Sequence, residues 1–310
     1  MNPTPSPSNT PDLAARRRAI EMSFLETRLM RGIGGLHFEN IEWLMLAVER
    51  ALSWMGLIER GQDNARRIAV RELTVEMPLP LAFDGYRILH LSDLHLDGLA
   101  GHPEALARQV AAVEADLCVM TGDYRFDIQG PCHNVVRHLH GVIDAVCAPD
   151  GVFAILGNHD FLEIGEALGE MGVRMLINDS AAVRRGDDAL WLAGVDDPHF
   201  YGCADLDRAL GGVPDDAHPI LLIHTPEMIR RAAAHGVGLY LCGHTHAGQI
   251  RLPVVGAPYN NARCRRKYCA GPWRVDGMTG FTHYGSGSSG VPVRFGCPPE
   301  VAVLTLRAAG

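Results

Sequence analysis

Several apolar runs of this chain end in the same way, and that shared ending constrains the fold more than any other feature. "ILHLSDLH" (88–95), "LCVMTGD" (117–123), "FAILGNHD" (153–160), "ILLIH" (220–224) and "LYLCGHTH" (239–246) each lead from apolar residues into Asp, Asn or His. A short apolar run bounded by turn residues reads as a buried strand. "IAVRELTVEM" (68–77) alternates as a half-buried strand does, and "ALWLAGVDD" and "VAVLTL" add further runs. Helical stretches are expected between them at 103–115, 134–147, 161–172 and 226–235, and strands alternating with helices argue for an α/β layer structure. In such sheets the carboxyl ends of neighbouring strands open onto one crevice, where ligands bind. Asp93, His95, Asp123, Asn158, His159, His224, His244 and His246 would meet there. Gly122, Gly157 and Gly243 immediately precede Asp123, Asn158 and His244, and a residue without Cβ lets the backbone come close to whatever sits in the crevice.

A single Asp-x-His pair carries no such weight, because it commonly caps a helix or sits in a turn. Taken together, the strand ends supply imidazoles, two carboxylates and an amide oxygen. That is too many donors for one tetrahedral site and suits two ions sharing a bridging carboxylate. Mixed nitrogen and oxygen donors without cysteine favour Mn, Fe, Zn or Co over Ca or Mg.

"DLH", "GD", "GNHD", "H" and "GHTH", in this order, resemble the five blocks of the calcineurin-like metallophosphoesterases. "GHTHAGQIRLP" is similar to the GHTHGGQ-x-x-x-P of one branch, and "VPVRFGCPPEV" to its R-x-x-x-P-E tail. That branch contains the YkuE- and YaeI-type bacterial phosphodiesterases and the chlamydial-type UDP-2,3-diacylglucosamine hydrolases. The resemblance covers about residues 84 to 306. It implies an α/β fold, a four-layer α-β-β-α metallophosphoesterase sandwich with two mixed sheets. It also implies that Asp93, His95 and His246 hold a first metal ion, that Asn158, His224 and His244 hold a second, and that Asp123 bridges them. Two ions roughly 3.5–4 Å apart clamp a phosphoryl group and acidify a bridging water.

His159 then becomes the expected catalytic group, reaching the phosphate to stabilise charge or protonate the leaving group. Asp160 is expected either to orient the His159 ring or to cap the helix starting near Phe161. Arg125 and Arg294 are expected substrate contacts, because a planar guanidinium suits bidentate contact with phosphate. The competing reading for both is a structural arginine. Ala247 stands where the branch has Gly and is expected to shift its loop slightly. Asp196 and Asp197 read as solvated acids at a turn.

Residues 1–12 are Pro-, Ser- and Asn-rich and read as a disordered tail, 13–66 as a helical extension, and 67–310 as the phosphoesterase domain. "ARRRAIEMSFLE" (15–26) resembles a twin-arginine export signal without the apolar stretch that should follow, so the chain reads as not exported. No uncharged run approaches the roughly 20 apolar residues of a membrane span. Residues 37–58 form the most apolar helix, with a narrow polar face bordered by Trp43 and Trp54. Either that helix docks on a membrane or covers a lipid-accepting entrance, or it packs on the core or in a dimer seam. The net charge of −8 argues against nonspecific nucleic-acid binding. Eight cysteines without framework spacing read as buried thiols, and Cys264 with Cys269 would be half of a zinc site that lacks its other half.

The reading is therefore a cytoplasmic enzyme, peripheral on the inner face of the membrane if the 37–58 helix docks there, that carries two divalent transition-metal ions, Mn foremost, with Fe, Zn or Co as alternatives. It hydrolyses a phosphodiester or pyrophosphate bond in a lipid- or nucleotide-linked substrate such as UDP-2,3-diacylglucosamine. A phosphomonoesterase or protein phosphatase on the same site, and a non-catalytic scaffold, are the alternatives.

Overall fold

Successive side chains along the central strands are nearly all buried and point alternately to opposite faces, which sorts them between three apolar layers. The computed structural model describes residues 12–27, 42–128 and 131–309, with the side chains of 24–27 and 42–44 outside that description. The strands in chain order are β1 (Ala69–Met77), β2 (Arg87–Leu91), β3 (Leu117–Met120), β4 (Val152–Ala154), β5 (Arg174–Met175) and β6 (Asp179–Arg185). They continue with β7 (Asp188–Gly194), β8 (Ile220–Leu222), β9 (Leu239–Cys242), β10 (Gly271–Val275), β11 (Met278–Thr282) and β12 (Glu300–Ala308). One mixed sheet runs β1-β12-β2-β3-β4-β5 and the other β10-β11-β9-β8-β7-β6. The strands that lead into the expected ligands, β2, β3 and β4, are parallel neighbours in the first sheet, as are β8 and β9 in the second.

Ile88, Leu117, Val119, Ile220, Leu222, Leu239 and Leu241 fill the space between the sheets. The residues in between point the other way. Leu89, Leu91, Cys118 and Met120 face the outer side of the first sheet, and Leu221, Tyr240 and Cys242 that of the second. A two-residue period on a sheet covered on both faces is the expected packing of parallel strands.

The helices are α1 (Leu13–Thr27), α2 (Glu42–Trp54), α3 (Ile58–Arg66), α4 (His102–Ala111), α5 (His133–Ile143), α6 (Leu162–Glu170), α7 (Leu206–Leu210) and α8 (Ile229–Ala234). Leu106, Leu139 and Leu168, one from each of α4, α5 and α6, are fully buried against the first sheet. Truncating any one of them to Ala would cost about 2–5 kcal/mol. Leu206 and Ile229 cover the second sheet in the same way. The layers are α-β-β-α, as expected.

The single helix expected over 37–58 is instead broken. Gly56 adopts φ +67 and ends α2, with Leu57 N–H donating to Leu52 O and Gly56 N–H to Ser53 O. Those two bonds are a Schellman cap, which glycine closes because it has no Cβ to oppose a left-handed backbone. Met45, Val48 and Leu52 of α2 pack on Val291 and Val293, while Leu46 and Trp54 are exposed. Residues 1–11 and 37–41, and the Trp43 side chain, lie outside the described residues. No helix among the described residues is long and apolar enough to cross a membrane. Cys264 Sγ lies 3.6 Å from Cys269 Sγ, and among the described residues no metal-capable group of three includes a cysteine.

Candidate active site

The seven expected ligands and His159 come together at the edge of both sheets. The donor atoms of the Asp and His residues among them fall into three overlapping groups, each within 4.8 Å: Asp93–His95–His246, His95–Asp123–His159 and Asp123–His224–His244. His224 Nε2 lies 2.9 Å from Asn158 Oδ1 and 3.3 Å from Asp123 Oδ2, and His246 Nε2 lies 3.4 Å from Asp93 Oδ1. Asp123 links the first-sheet donors to those of the second.

The backbone reaches this arrangement at some cost. Asp93, His95, Asp123, His244 and His246 all have positive φ, between +43° and +68°. A left-handed conformation is unfavourable for residues with a Cβ, at roughly 1–2 kcal/mol each, and such strain concentrates at functional sites. At two of the glycines the backbone lies against a carboxylate of the cluster. A Cβ on Gly157 would overlap Asp123 Oδ1, and one on Gly243 would overlap Asp93 Oδ2.

The ring orientations are set from behind. His95 Nδ1 donates to Arg125 O at 2.6 Å and His224 Nδ1 to Thr121 O at 2.7 Å, which leaves each Nε2 facing the cluster. Carbonyl acceptors behind metal-binding imidazoles hold their tautomer and direction. Burial pushes Asp93 up to about 6 and His95 down to about 3. Burial also opposes an imidazolium at His224, but the carboxylates of Asp123 and Asp93 outweigh it and raise that group to about 10.

A divalent cation fits this donor set. His95 Nε2 and His246 Nε2 face one another at 3.1 Å, and His244 Nε2 is buried without a hydrogen-bond partner. Both features suit nitrogen lone pairs converging on a positive charge. Bound ions would supply Lewis-acid polarisation of a phosphoryl group and acidification of water.

The remaining expectations fare differently. His159 lines the cavity beside the cluster, and its Nδ1 donates to Phe126 O at 2.9 Å. Asp160 neither orients that ring nor caps α6. Its carboxylate accepts from the backbone N–H groups of Asp123, Tyr124 and Gly157 and so ties the two ligand loops together. Arg294 does not line the cavity. It is fully buried beneath His246 and donates to the carbonyls of Tyr284, Gly285 and Gly287. Arg125 is likewise buried off the cavity, over the Phe161 ring. Asp196 and Asp197 are buried rather than solvated. The Asp197 carboxylate accepts from the N–H groups of His199, Phe200 and Tyr201.

Two contributions have no expectation behind them. Arg17 of α1 is fully buried, pairs with Asp196 and Glu21, and donates to Asp160 O at 2.6 Å. Glu21 in turn accepts from Leu162 N–H at the start of α6. Second, the His199 ring lies 4.5 Å from that of His244 and its Nδ1 meets Glu227 Oε1 at 2.7 Å. An i,i+4 Arg–Glu pair was visible in the sequence; its partner on Asp196 was not.

The chain is 30% identical over 252 residues to the uncharacterized metallophosphoesterase YkuE of Bacillus subtilis, covering 77% of this chain and 86% of that one. The chain is a metallophosphoesterase. This metallophosphoesterase is also 27% identical over 309 residues to the phosphodiesterase YaeI of Escherichia coli, covering 95% of this chain and all of that one. These likenesses place it in the calcineurin-like YkuE/YaeI branch. A bovine transmembrane protein with a metallophosphoesterase domain is 32% identical over 292 residues, and the chain spans 62% of its length. No protein-family model matches the chain.

Proposed function

We propose that the chain hydrolyses a phosphodiester or pyrophosphate bond at a centre of two divalent ions, in a substrate with a sizeable apolar part. Asp93, His95 and His246 would hold one ion, Asn158, His224 and His244 the other, and Asp123 both. The observation that carries the reading is the cavity above these residues. It measures about 620 Å³, with Asp123, Asn158, His159, His244 and His246 on its lining. The rest of the lining is largely apolar: Met45 and Val48 of α2, with Ile250, Pro258 and Val291. A cavity of this size, apolar with a few convergent polar groups, is built for a ligand rather than for water alone. α2 is accordingly read as one wall of a lipid-accepting entrance, and an acylated nucleotide-sugar pyrophosphate such as UDP-2,3-diacylglucosamine is the kind of molecule it suits.

The chain's own groups have defined parts in this reading. With its Nδ1–H donated to Phe126 O, His159 turns Nε2 to the cavity, and as an imidazolium, with a second proton on Nε2, it can donate to a phosphoryl oxygen or to the departing oxygen. Its backbone N–H donates to Asp123 Oδ1, which keeps the shared carboxylate in place. Asp160 fixes the spacing between the Asp123 and Asn158 loops.

The test is a substrate comparison on Mn-reconstituted protein. Hydrolysis of bis(p-nitrophenyl) phosphate should exceed that of p-nitrophenyl phosphate and vanish with chelator, and a screen including UDP-2,3-diacylglucosamine and cyclic nucleotides should find its best turnover on an acylated substrate. Faster turnover of the monoester would make the protein a phosphomonoesterase. No turnover of either would leave a scaffold.

A further inference from the structure

We infer that the turn Leu252–Gly256 and the basic loop beside it form a docking surface for an anionic lipid bilayer, next to the mouth of the active-site cavity. This rests on the phosphoesterase reading and says where the apolar part of the substrate would come from.

The turn is closed by two backbone hydrogen bonds between Leu252 and Gly256, each 2.9 Å. Its tip carries Pro253, Val254 and Val255, and Leu252, Val254 and Val255 are among the most exposed apolar side chains of the protein. Val254 is fully exposed and has φ +67. A β-branched residue is a marked outlier there. Single exposed apolar residues are ordinary, but three on one turn form a patch that calls for a partner.

The turn projects from between two stretches that line the cavity, Ile250 before it and Pro258 with Tyr259 after it. A chain leaving the cavity between these stretches would therefore pass near the patch. Tyr259 is itself half exposed, an aromatic at the place where an interfacial ring is favoured.

Charge indicates which surface fits. No acidic residue occurs between Glu227 and Asp276, although the whole chain carries a net charge of −8. That stretch holds Arg263, Arg265, Arg266 and Lys267, all exposed. Arg266 donates to the carbonyls of Ala257 and Pro258, at 3.3 and 3.1 Å, which fastens the basic loop to the returning arm of the turn. Apolar side chains that can enter the acyl boundary, rimmed by cations at headgroup height, match an anionic membrane better than they match a soluble protein.

The test is co-sedimentation of the full metal-loaded chain with phosphatidylcholine vesicles, with and without phosphatidylglycerol. Binding should require phosphatidylglycerol and weaken with added salt. Val254→Ser with Val255→Ser should lower the partition coefficient about tenfold. Arg265→Gln with Lys267→Gln should lower it about 25-fold at low salt, from roughly fivefold for each basic residue. Both variants should keep the turnover of bis(p-nitrophenyl) phosphate. Failure to bind either vesicle overturns the docking surface, as does binding that neither variant weakens. Binding lost only in Leu46→Ser with Trp54→Ser would place the contact on α2 and overturn it too. Sedimentation of a dimer that Val254→Ser with Val255→Ser dissociates, without vesicle binding, would show that a second copy covers the patch. Absent diester turnover in the unmodified chain would overturn the phosphoesterase reading instead, and vesicle binding is scored without it.

Discussion

Replacing Arg17 with Ala should destabilise the protein by about 3–5 kcal/mol, the usual cost of removing one partner from a buried ion pair. The size follows from what the guanidinium does. It is fully buried, lies 3.9 Å over the Tyr201 ring, pairs with Asp196 and Glu21, and donates to Asp160 O. Removing it strands the Asp196 carboxylate, which burial already pushes towards the protonated form. It also takes a donor from the loop that carries Asn158 and His159, so kcat for a diester should fall along with stability. Urea denaturation measures the first effect and steady-state kinetics the second. The pH dependence has a definite sign. Asp196 has a raised folded-state pKa, so its protonated form is favoured by folding and its charge is a liability as pH rises through that value. Without Arg17 the liability grows, and the deficit of the Ala variant should be larger at pH 8 than at pH 5. Arg17→Met combined with Asp196→Asn should lose less than the sum of the single changes, because the double variant buries no unpaired charge. A loss below about 1 kcal/mol with unchanged kcat would mean that α1 does not rest on the active-site loops, and would refute the argument.

Other outcomes follow from the same geometry. His159→Ala should keep the metal content and lose roughly 10²–10⁴-fold in kcat, with less loss for substrates bearing good leaving groups; metal analysis and a leaving-group series check it. Because Asp123 and Asp93 hold His224 protonated up to about 10, loading of the metal-free protein at pH 8 should release about one proton at that residue. Calorimetric heats that depend on the buffer's ionisation enthalpy would show this release, and affinity should fall further below about pH 6, where Asp93 takes up its proton. Ala247→Gly should stabilise by about 0.5–1 kcal/mol, since Ala247 sits at φ +50 where its Cβ is unfavourable, and thermal unfolding measures the gain.

Much of the candidate site could be read from the sequence, because each expected ligand follows within a few residues of a strand end. A strand placed in a parallel sheet puts its last residues at one edge whatever the rest of the molecule does, so "TGD", "GNHD" and "GHTH" declared both the edge and its chemistry. The glycines stood out in the motifs, but the crowding that excludes a Cβ is tertiary, since Gly157 meets Asp123 and Gly243 meets Ser92 and Asp93 from the other sheet. The end of α2 was written locally as well, in Gly56, although the apolar pattern on either side suggested one continuous helix.

The roles of the charged residues around the site belonged to the tertiary structure. Arg17 lies 179 residues from Asp196, and although its spacing to Glu21 sets it apart from the solvated Arg16 and Arg18, an i,i+4 pair is as common on an exposed helix face and does not announce burial. Asp160 and Arg294 stood within or near the catalytic motifs and read as catalytic or phosphate-binding. Folding instead pointed their polar atoms at backbone groups that needed partners. A carboxylate or guanidinium has the same chemistry wherever it stands, and whether it meets substrate or spare N–H and C=O groups depends on which strands are brought alongside it. Sequence therefore fixed which donors reach the sheet edge, while packing decided which charges face the cavity and which hold its walls in place.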